Sequence, residues 1–159
     1  MTEYSVDLEP VNEMEIRKLL FQYDTYFIPK ISDRTNLEEY AKKLSTNATF
    51  ILAKNKNTIV GFAAFYYNPA PQSTYLPLIA VDQDCQGLGI GRMLVEKMVN
   101  YCFINNSAGI LLEMRADNSK LFKFYSDFGF TIKDKFISPL NGETKYYMFL
   151  STSKNTYDE

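Results

Sequence analysis

The 159-residue sequence contains no histidine and no tryptophan, and only two cysteines, Cys85 and Cys102. Without histidine, Ser-His-Asp and Cys-His catalysis and imidazole metal sites are excluded together, so acid–base work falls to carboxylates, Lys, Cys or Tyr. Two cysteines give neither a disulfide framework nor a metal-ligand spacing, and no metal is expected. No apolar run reaches the roughly 18 residues of a membrane span. The first residues, Met-Thr-Glu-Tyr-Ser-Val-Asp, are acidic and lack the apolar core of a secretory signal. A net charge of −2 with no Lys/Arg stripe disfavours nucleic acid as a main ligand. The expectation is a cytoplasmic protein with no membrane partner.

The composition is 46% hydrophobic and 15% aromatic, all Tyr and Phe, which suits a globular chain. Its length predicts one domain over residues 1–159, with a polar, loose tail from about Thr152.

The chain is organised around residues 76–92, where an apolar run, Leu76 to Val81, is broken by Asp82-Gln83-Asp84. Gly87, Gly89 and Gly91 follow at the start of an amphipathic helix expected from about Gly91 to Asn105. A helix start leaves its first N–H groups unpaired and partly positive, and glycines let an anion come close to them. The pattern is a diphosphate cradle. A P-loop fits poorly, because no Lys-Ser/Thr pair follows. A dinucleotide fold would want a third glycine where Arg92 stands. Glu113, about twenty residues on, is where a ribose-binding acid would lie, but too little chain follows it for the rest of a doubly wound sheet.

A third pattern, Gln/Arg-x-x-Gly-x-Gly/Ala, is met by Gln86-Gly87-Leu88-Gly89-Ile90-Gly91. On these residues the stretch resembles the acyl-CoA pyrophosphate loop of the GNAT N-acetyltransferase superfamily.

Periodicity places a strand at residues 4–8 and a helix after Pro10 with Val11, Met14, Leu19 and Phe21 on its apolar face. Residues 28–32, containing Pro29, read as a loop, and a second helix capped by Asn36 ends near Asn47. Strands at 49–53 and 58–67 form a hairpin about Lys54-Asn55-Lys56-Asn57, followed by the stiff loop Asn68-Pro69-Ala70-Pro71. On the helix after the glycines, Leu94, Val95, Met98, Val99, Cys102 and Phe103 are apolar. A buried strand at 109–114, a helix at 119–128 stopped by Gly129, and strands at 130–137 and 145–151 complete the chain. The order β-α-α-β-β-β-α-β-α-β-β matches the GNAT arrangement. The resemblance then implies an α+β fold with a central mixed, mostly antiparallel sheet flanked by helices, whose two central strands splay to admit the pantetheine arm.

A second motif, Leu112-Glu113-Met114-Arg115-Ala116-Asp117-Asn118, leads into a helix ending Tyr125-Ser126-Asp127-Phe128-Gly129-Phe130. It is similar to the bacterial N-terminal acetyltransferases of ribosomal proteins. That likeness implies Glu113 as general base and Tyr125 as general acid. It also implies acetyl-CoA held by Ile79, Ala80, Val81, Gln86, Gly87, Leu88, Gly89, Ile90, Gly91, Arg92 and Asn118. Each position has a plainer reading. Glu113 could pair with Arg115 on its strand face, and Tyr125 could simply pack beside Leu121, Phe122 and Phe128. Asn118 could only cap its helix, and Arg92 could only pair with Glu96 one turn on. The cysteines read as filler.

The family's acceptor pocket falls here on Tyr23, Tyr26, Phe27, Tyr66, Tyr75, Phe136 and Tyr146, of which Tyr26, Phe27, Tyr66 and Tyr75 are the chosen contacts. The expected function is acetyl transfer to a primary amine of a small molecule, without a covalent enzyme intermediate. Acetylation of a protein N-terminus or lysine, and a non-catalytic acyl-CoA-binding module, are the alternatives. A homodimer is an option the residues leave open.

Overall fold

The computed structural model describes residues 3–153. Seven strands and five helices follow one another as β1 Tyr4–Leu8, α1 Glu13–Tyr23, α2 Ile31–Arg34, α3 Leu37–Asn47, β2 Thr49–Asn55, β3 Thr58–Tyr66, β4 Thr74–Val81, α4 Ile90–Ile104, β5 Gly109–Arg115, α5 Ser119–Asp127, β6 Thr131–Ile137 and β7 Thr144–Ser151. Short 3-10 turns stand at Asp24–Tyr26 and Gln83–Cys85. The strands form one sheet in the order β1-β2-β3-β4-β5-β7-β6. It is mixed and mostly antiparallel, as expected, and β4 and β5 pair in parallel. The one-turn helix α2 occupies what reads in sequence as a loop, because its four residues are too short to carry a helical period.

The chain divides into two compact units, one running through Tyr66 with Leu78–Met98, the other Tyr67–Pro77 with Val99 onward. In the first, β1, β2 and β3 form an antiparallel ladder, Val6 opposite Ala53 and Leu52 opposite Phe62. Asn12 and Asn36 cap α1 and α3, their Oδ1 atoms accepting the Glu15 N–H at 2.9 Å and the Glu39 N–H at 3.0 Å. Ile16, Leu19, Leu20 and Tyr23 of α1 and Leu37, Ala41 and Leu44 of α3 pack in one core with Phe50, Leu52, Phe62, Ala64, Leu78 and Ala80. Each large side chain there contributes about 1.5–3 kcal/mol by burial. The α1 face therefore differs from the expected one. The stripe i, i+3, i+4, i+7 starting at Ile16 faces inward, which turns Met14 and Phe21 outward, 66% and 63% exposed.

In the second unit β4 pairs with β5 over Thr74–Leu76 against Ile110–Leu112, and Pro77, which has no amide to donate, follows. β5 then pairs with β7, and β7 with β6, both antiparallel. Alternation along β5 buries Ile110, Leu112 and Met114 and turns Glu113 to the opposite face. Helix α4 has residues in both units, burying Leu94, Val95 and Met98 in the first and Cys102 in the second, whereas Phe103, expected among them, is 47% exposed. Gly129, with φ 101°, ends α5 as expected, and Phe130 N–H reaches back to Tyr125 O. Thr152, expected to open the loose tail, is instead buried and donates through Oγ1 to Ser107 O at 2.9 Å. The rest of that tail, from residue 154, lies outside the described residues.

One close approach sets the end of β4. A Cβ on Gly61 of β3 would stand 2.9 Å from Ala80 O and 3.4 Å from Val81 Cα. Gly61→Ala is therefore expected to lower stability by about 1–3 kcal/mol as the two strands are pushed apart. Urea unfolding measures this, and wild-type stability in the variant would show that the approach carries no constraint.

Candidate functional site

In the first unit, β4 ends at Val81 and Asp82 caps the 3-10 turn, accepting the Asp84 N–H at 3.2 Å. Gln86 folds back, its Nε2 donating to Val81 O at 3.1 Å, so the side chain braces the loop against the strand it leaves. Gly87 and Gly89 have φ of 83° and 85°. An L-residue there would cost about 1–2 kcal/mol. A Cβ at either would meet no atom within 4 Å, so the space over both is open. The first α-helical bond of α4 runs from Met93 N–H to Gly89 O at 3.1 Å. The N–H groups of Ile90 and Gly91, ahead of it, have no carbonyl behind them within the helix. The start of α4 thus presents amides unpaired within the helix beneath open space, a chemistry suited to an anion. Arg92 pairs with Glu96 at 3.6 Å, both side chains more than half exposed. Leu88 is exposed, Ile79 and Val81 are half-buried, and Ala80 is buried.

In the second unit Glu113 lies opposite Tyr147 in register, and its Oε2 is 3.9 Å from Lys145 Nζ, on a side chain only 10% exposed. The plainer reading of Glu113, an ion pair with Arg115, does not hold as stated, since its partner is Lys145. Arg115 turns to Asp117 at 3.2 Å and Glu143 at 4.0 Å. Lys145 stands directly opposite Arg115, and like charges so placed repel, which separates the two cations onto different acids. Burial, then the charge of Glu113 and its hydrogen bond, then Asp134, push the Tyr147 phenol above its ordinary range. The Tyr147 ring is held by stacking on Phe136 at 4.6 Å.

Tyr125 is buried in α5 with its ring edge-on to Phe124 and Phe130 at 5.2 and 5.4 Å. Burial alone pushes its phenol up. Asn118 caps α5, its Oδ1 accepting the Leu121 N–H at 3.1 Å. Cys102 is buried and its thiol raised by that burial, which fits a packing role.

The aromatic residues expected around an acceptor stand in several environments. Tyr23 is fully buried, its hydroxyl without a hydrogen-bond partner. Burial first, then Asp82, Tyr26 and Cys85, push that phenol up to about 12. Tyr26 packs edge-on to Tyr23 at 4.9 Å, and its hydroxyl accepts the Gln83 N–H at 3.0 Å. Phe27 and Tyr66 are half-buried against the core, with Lys43 Nζ 5.6 Å from the Tyr66 ring centroid. Tyr75 is half-buried on β4, and Tyr146 packs edge-on to Phe122 at 6.0 Å. Lys145, Gly61 and the Tyr26–Gln83 bond carry no signal in the sequence. Each depends on which strand or turn lies across from it. Among the described residues no group of three or more His, Cys, Asp or Glu could hold a metal, and no helix is long and apolar enough to cross a membrane.

A family model described as the acetyltransferase (GNAT) family matches residues 14–130. An uncharacterized N-acetyltransferase of Methanocaldococcus jannaschii is 39% identical over 70 residues, covering 43% of this chain and 40% of that protein. The matched part is thus well under two thirds of that relative's length. Among solved structures, the ribosomal-protein-S18-alanine N-acetyltransferase of Escherichia coli aligns at TM-score 0.78 and 18% identity, covering 99% of each chain. A candidate streptothricin acetyltransferase of Bacillus anthracis, solved with acetyl coenzyme A, aligns at TM-score 0.60 and 29% identity over 66% of this chain and 62% of that one.

The turn carrying Tyr26 and Phe27 is clipped at its base. Ser32 donates to the Asp24 carboxylate from its N–H at 2.8 Å and from Oγ at 2.5 Å. Burial pushes Asp24 up, but the Ser32 hydrogen bonds, with the Lys30 charge, outweigh it and hold its pKa below the ordinary value of 3.8. A depressed folded pKa contributes stability above the unfolded pKa and loses it as pH falls through the folded one. Urea unfolding should therefore find wild type more stable than Asp24→Asn at pH 7, the difference beginning to shrink as pH falls below about 3.9 and lost only below the depressed folded pKa. A difference that holds constant down to pH 2.5 would contradict the clip.

Proposed function

The chain belongs to the GNAT acetyltransferase family, and from that we propose that it is an acetyl-CoA-dependent N-acetyltransferase acting directly on the primary amine of a small molecule. The observation that carries this reading is the open cradle at the start of α4, where two left-handed glycines leave amides beneath space that a Cβ would enter. The acetyl-CoA bound to the Bacillus anthracis protein supports the choice of cosubstrate.

In this reading the N–H groups of residues 86–92 hold the diphosphate, with Arg92 exchanging Glu96 for it. Ile79, Ala80 and Val81 offer backbone groups to the acyl arm and to the oxyanion, and Asn118 adds a polar contact besides its cap. Acetyl-CoA supplies the activated acyl group as a thioester. An alkyl amine with a pKa of roughly 10.4 is neutral at pH 7 in only on the order of one molecule in a thousand. Glu113 takes the proton the amine must lose. Tyr125 serves the departing sulfur. A free phenol, with a pKa of about 10, is already a weaker acid than a thiol at about 8.5, and burial raises Tyr125 further. Its role is therefore hydrogen-bond stabilisation of the thiolate more than outright proton transfer. Tyr26, Phe27, Tyr66 and Tyr75 provide acceptor contacts.

Thiol release from acetyl-CoA, measured with water and then with alkylamines, amino sugars and short peptides bearing free N-termini, tests the proposal. Release stimulated by the small amines is expected. Release with peptides alone would assign protein N-terminal acetylation. No stimulation, alongside clear thermal stabilisation by coenzyme A, would assign a non-catalytic binding module. Tyr125→Phe should lower turnover on the order of a hundredfold with little change in coenzyme A affinity, and unchanged turnover would remove the tyrosine from the chemistry.

A further inference from the structure

The segment between α1 and α3 is closed on itself and attached to the cradle's approach. Its base is the Asp24–Ser32 clip, and Ile31, 1% exposed, pins it to the core. Its tip carries Tyr26, Phe27 and Ile28, with Ile28 62% exposed. Tyr26 turns its ring edge-on to the fully buried Tyr23, which in turn packs on Phe62 at 5.3 Å. The Tyr26 hydroxyl therefore sits on a rigid aromatic base and accepts the N–H of Gln83. Gln83 opens the 3-10 turn that delivers Gln86 and the two left-handed glycines. A residue expected to touch the acceptor is thus also hydrogen-bonded to the turn that precedes the two left-handed glycines.

We propose that Tyr26 is a positioning residue for the cradle, and that through the Gln83 amide it couples occupancy of the cradle to order in the clipped segment Asp24–Ser32. The inference rests on the reading that the cradle takes coenzyme A. Two fixed ends give the coupling its physical basis. The clip makes the segment respond as a unit, and the 3-10 turn, capped by Asp82, passes any restraint on Gln86 back to Gln83. Filling the cradle restrains the turn, the turn restrains the Tyr26 hydroxyl, and the ring carries the segment with it. A segment expected to face the acceptor is then ordered when the cosubstrate is in place.

Backbone hydrogen exchange with and without coenzyme A tests this on the full chain, together with the dissociation constant of coenzyme A for wild type and Tyr26→Phe. Phenylalanine keeps the ring contact on Tyr23, so the variant should unfold at nearly the wild-type temperature. In wild type, coenzyme A should slow exchange in residues 83–92 and also in residues 24–34. In Tyr26→Phe, residues 86–92 should still respond, residues 24–34 should lose their response, and affinity should fall about 2- to 10-fold, as for one net hydrogen bond. Wild-type affinity in the variant, with protection of residues 24–34 undiminished, would overturn the inference while leaving the cradle intact. Absence of any coenzyme A binding by wild type would instead remove the cradle reading, and the coupling with it.

Discussion

The left-handed backbone at Gly87 and Gly89 is the constraint on which the site depends. Only glycine adopts φ near +85° without strain, and only without a Cβ does the space above the start of α4 stay open. The turn before it is held from three directions. Asp82 caps it, Gln86 ties it to Val81, and Tyr26 receives its first amide. These braces bring the donors near the positions an anion needs, which lowers the entropy that binding has left to remove. The acidic net charge of −2 does not oppose the proposed anion site, because amide dipoles and the helix start would supply its attraction.

The second unit solves a different problem, that of placing a carboxylate on a sheet face beside two cations. Arg115 and Lys145 face each other across the β5–β7 ladder. Asp117 and Glu143 draw Arg115 aside, and Lys145, nearly buried, pairs with Glu113. A buried ammonium needs a partner, since an unpaired charge at low exposure costs several kcal/mol. Glu113 is therefore bound into the packing of β7 as well as available on its surface. The plainer ion-pair account of this glutamate is real, but its partner lies on the neighbouring strand.

Much of the architecture was legible in the sequence, for reasons that can be located. Long periodic helices with asparagine caps, such as α3, and the glycine that ends α5 are written in local residue order. The cradle is local too, a strand, a turn and a helix start in consecutive residues. What was not legible depends on tertiary pairing. The inward face of α1 is fixed by where Phe50 and Phe62 lie, so the sequence pattern alone puts Met14 and Phe21 on the wrong side. The partner of Glu113 depends on register with β7, and the bond from Tyr26 joins residues 57 apart in sequence. Thr152 looked like the start of a polar tail, yet Ser107 gives its hydroxyl a buried acceptor.

The central claim is that the main-chain amides at the start of α4 grip the diphosphate of coenzyme A. Amide nitrogen and proton shifts, followed by NMR as coenzyme A and then pantetheine are titrated, test it most directly. The account predicts large shifts for residues 86–92 with coenzyme A and small ones with pantetheine, which lacks the diphosphate. Coenzyme A binding with those amides undisturbed, or equal shifts from both ligands, would contradict it.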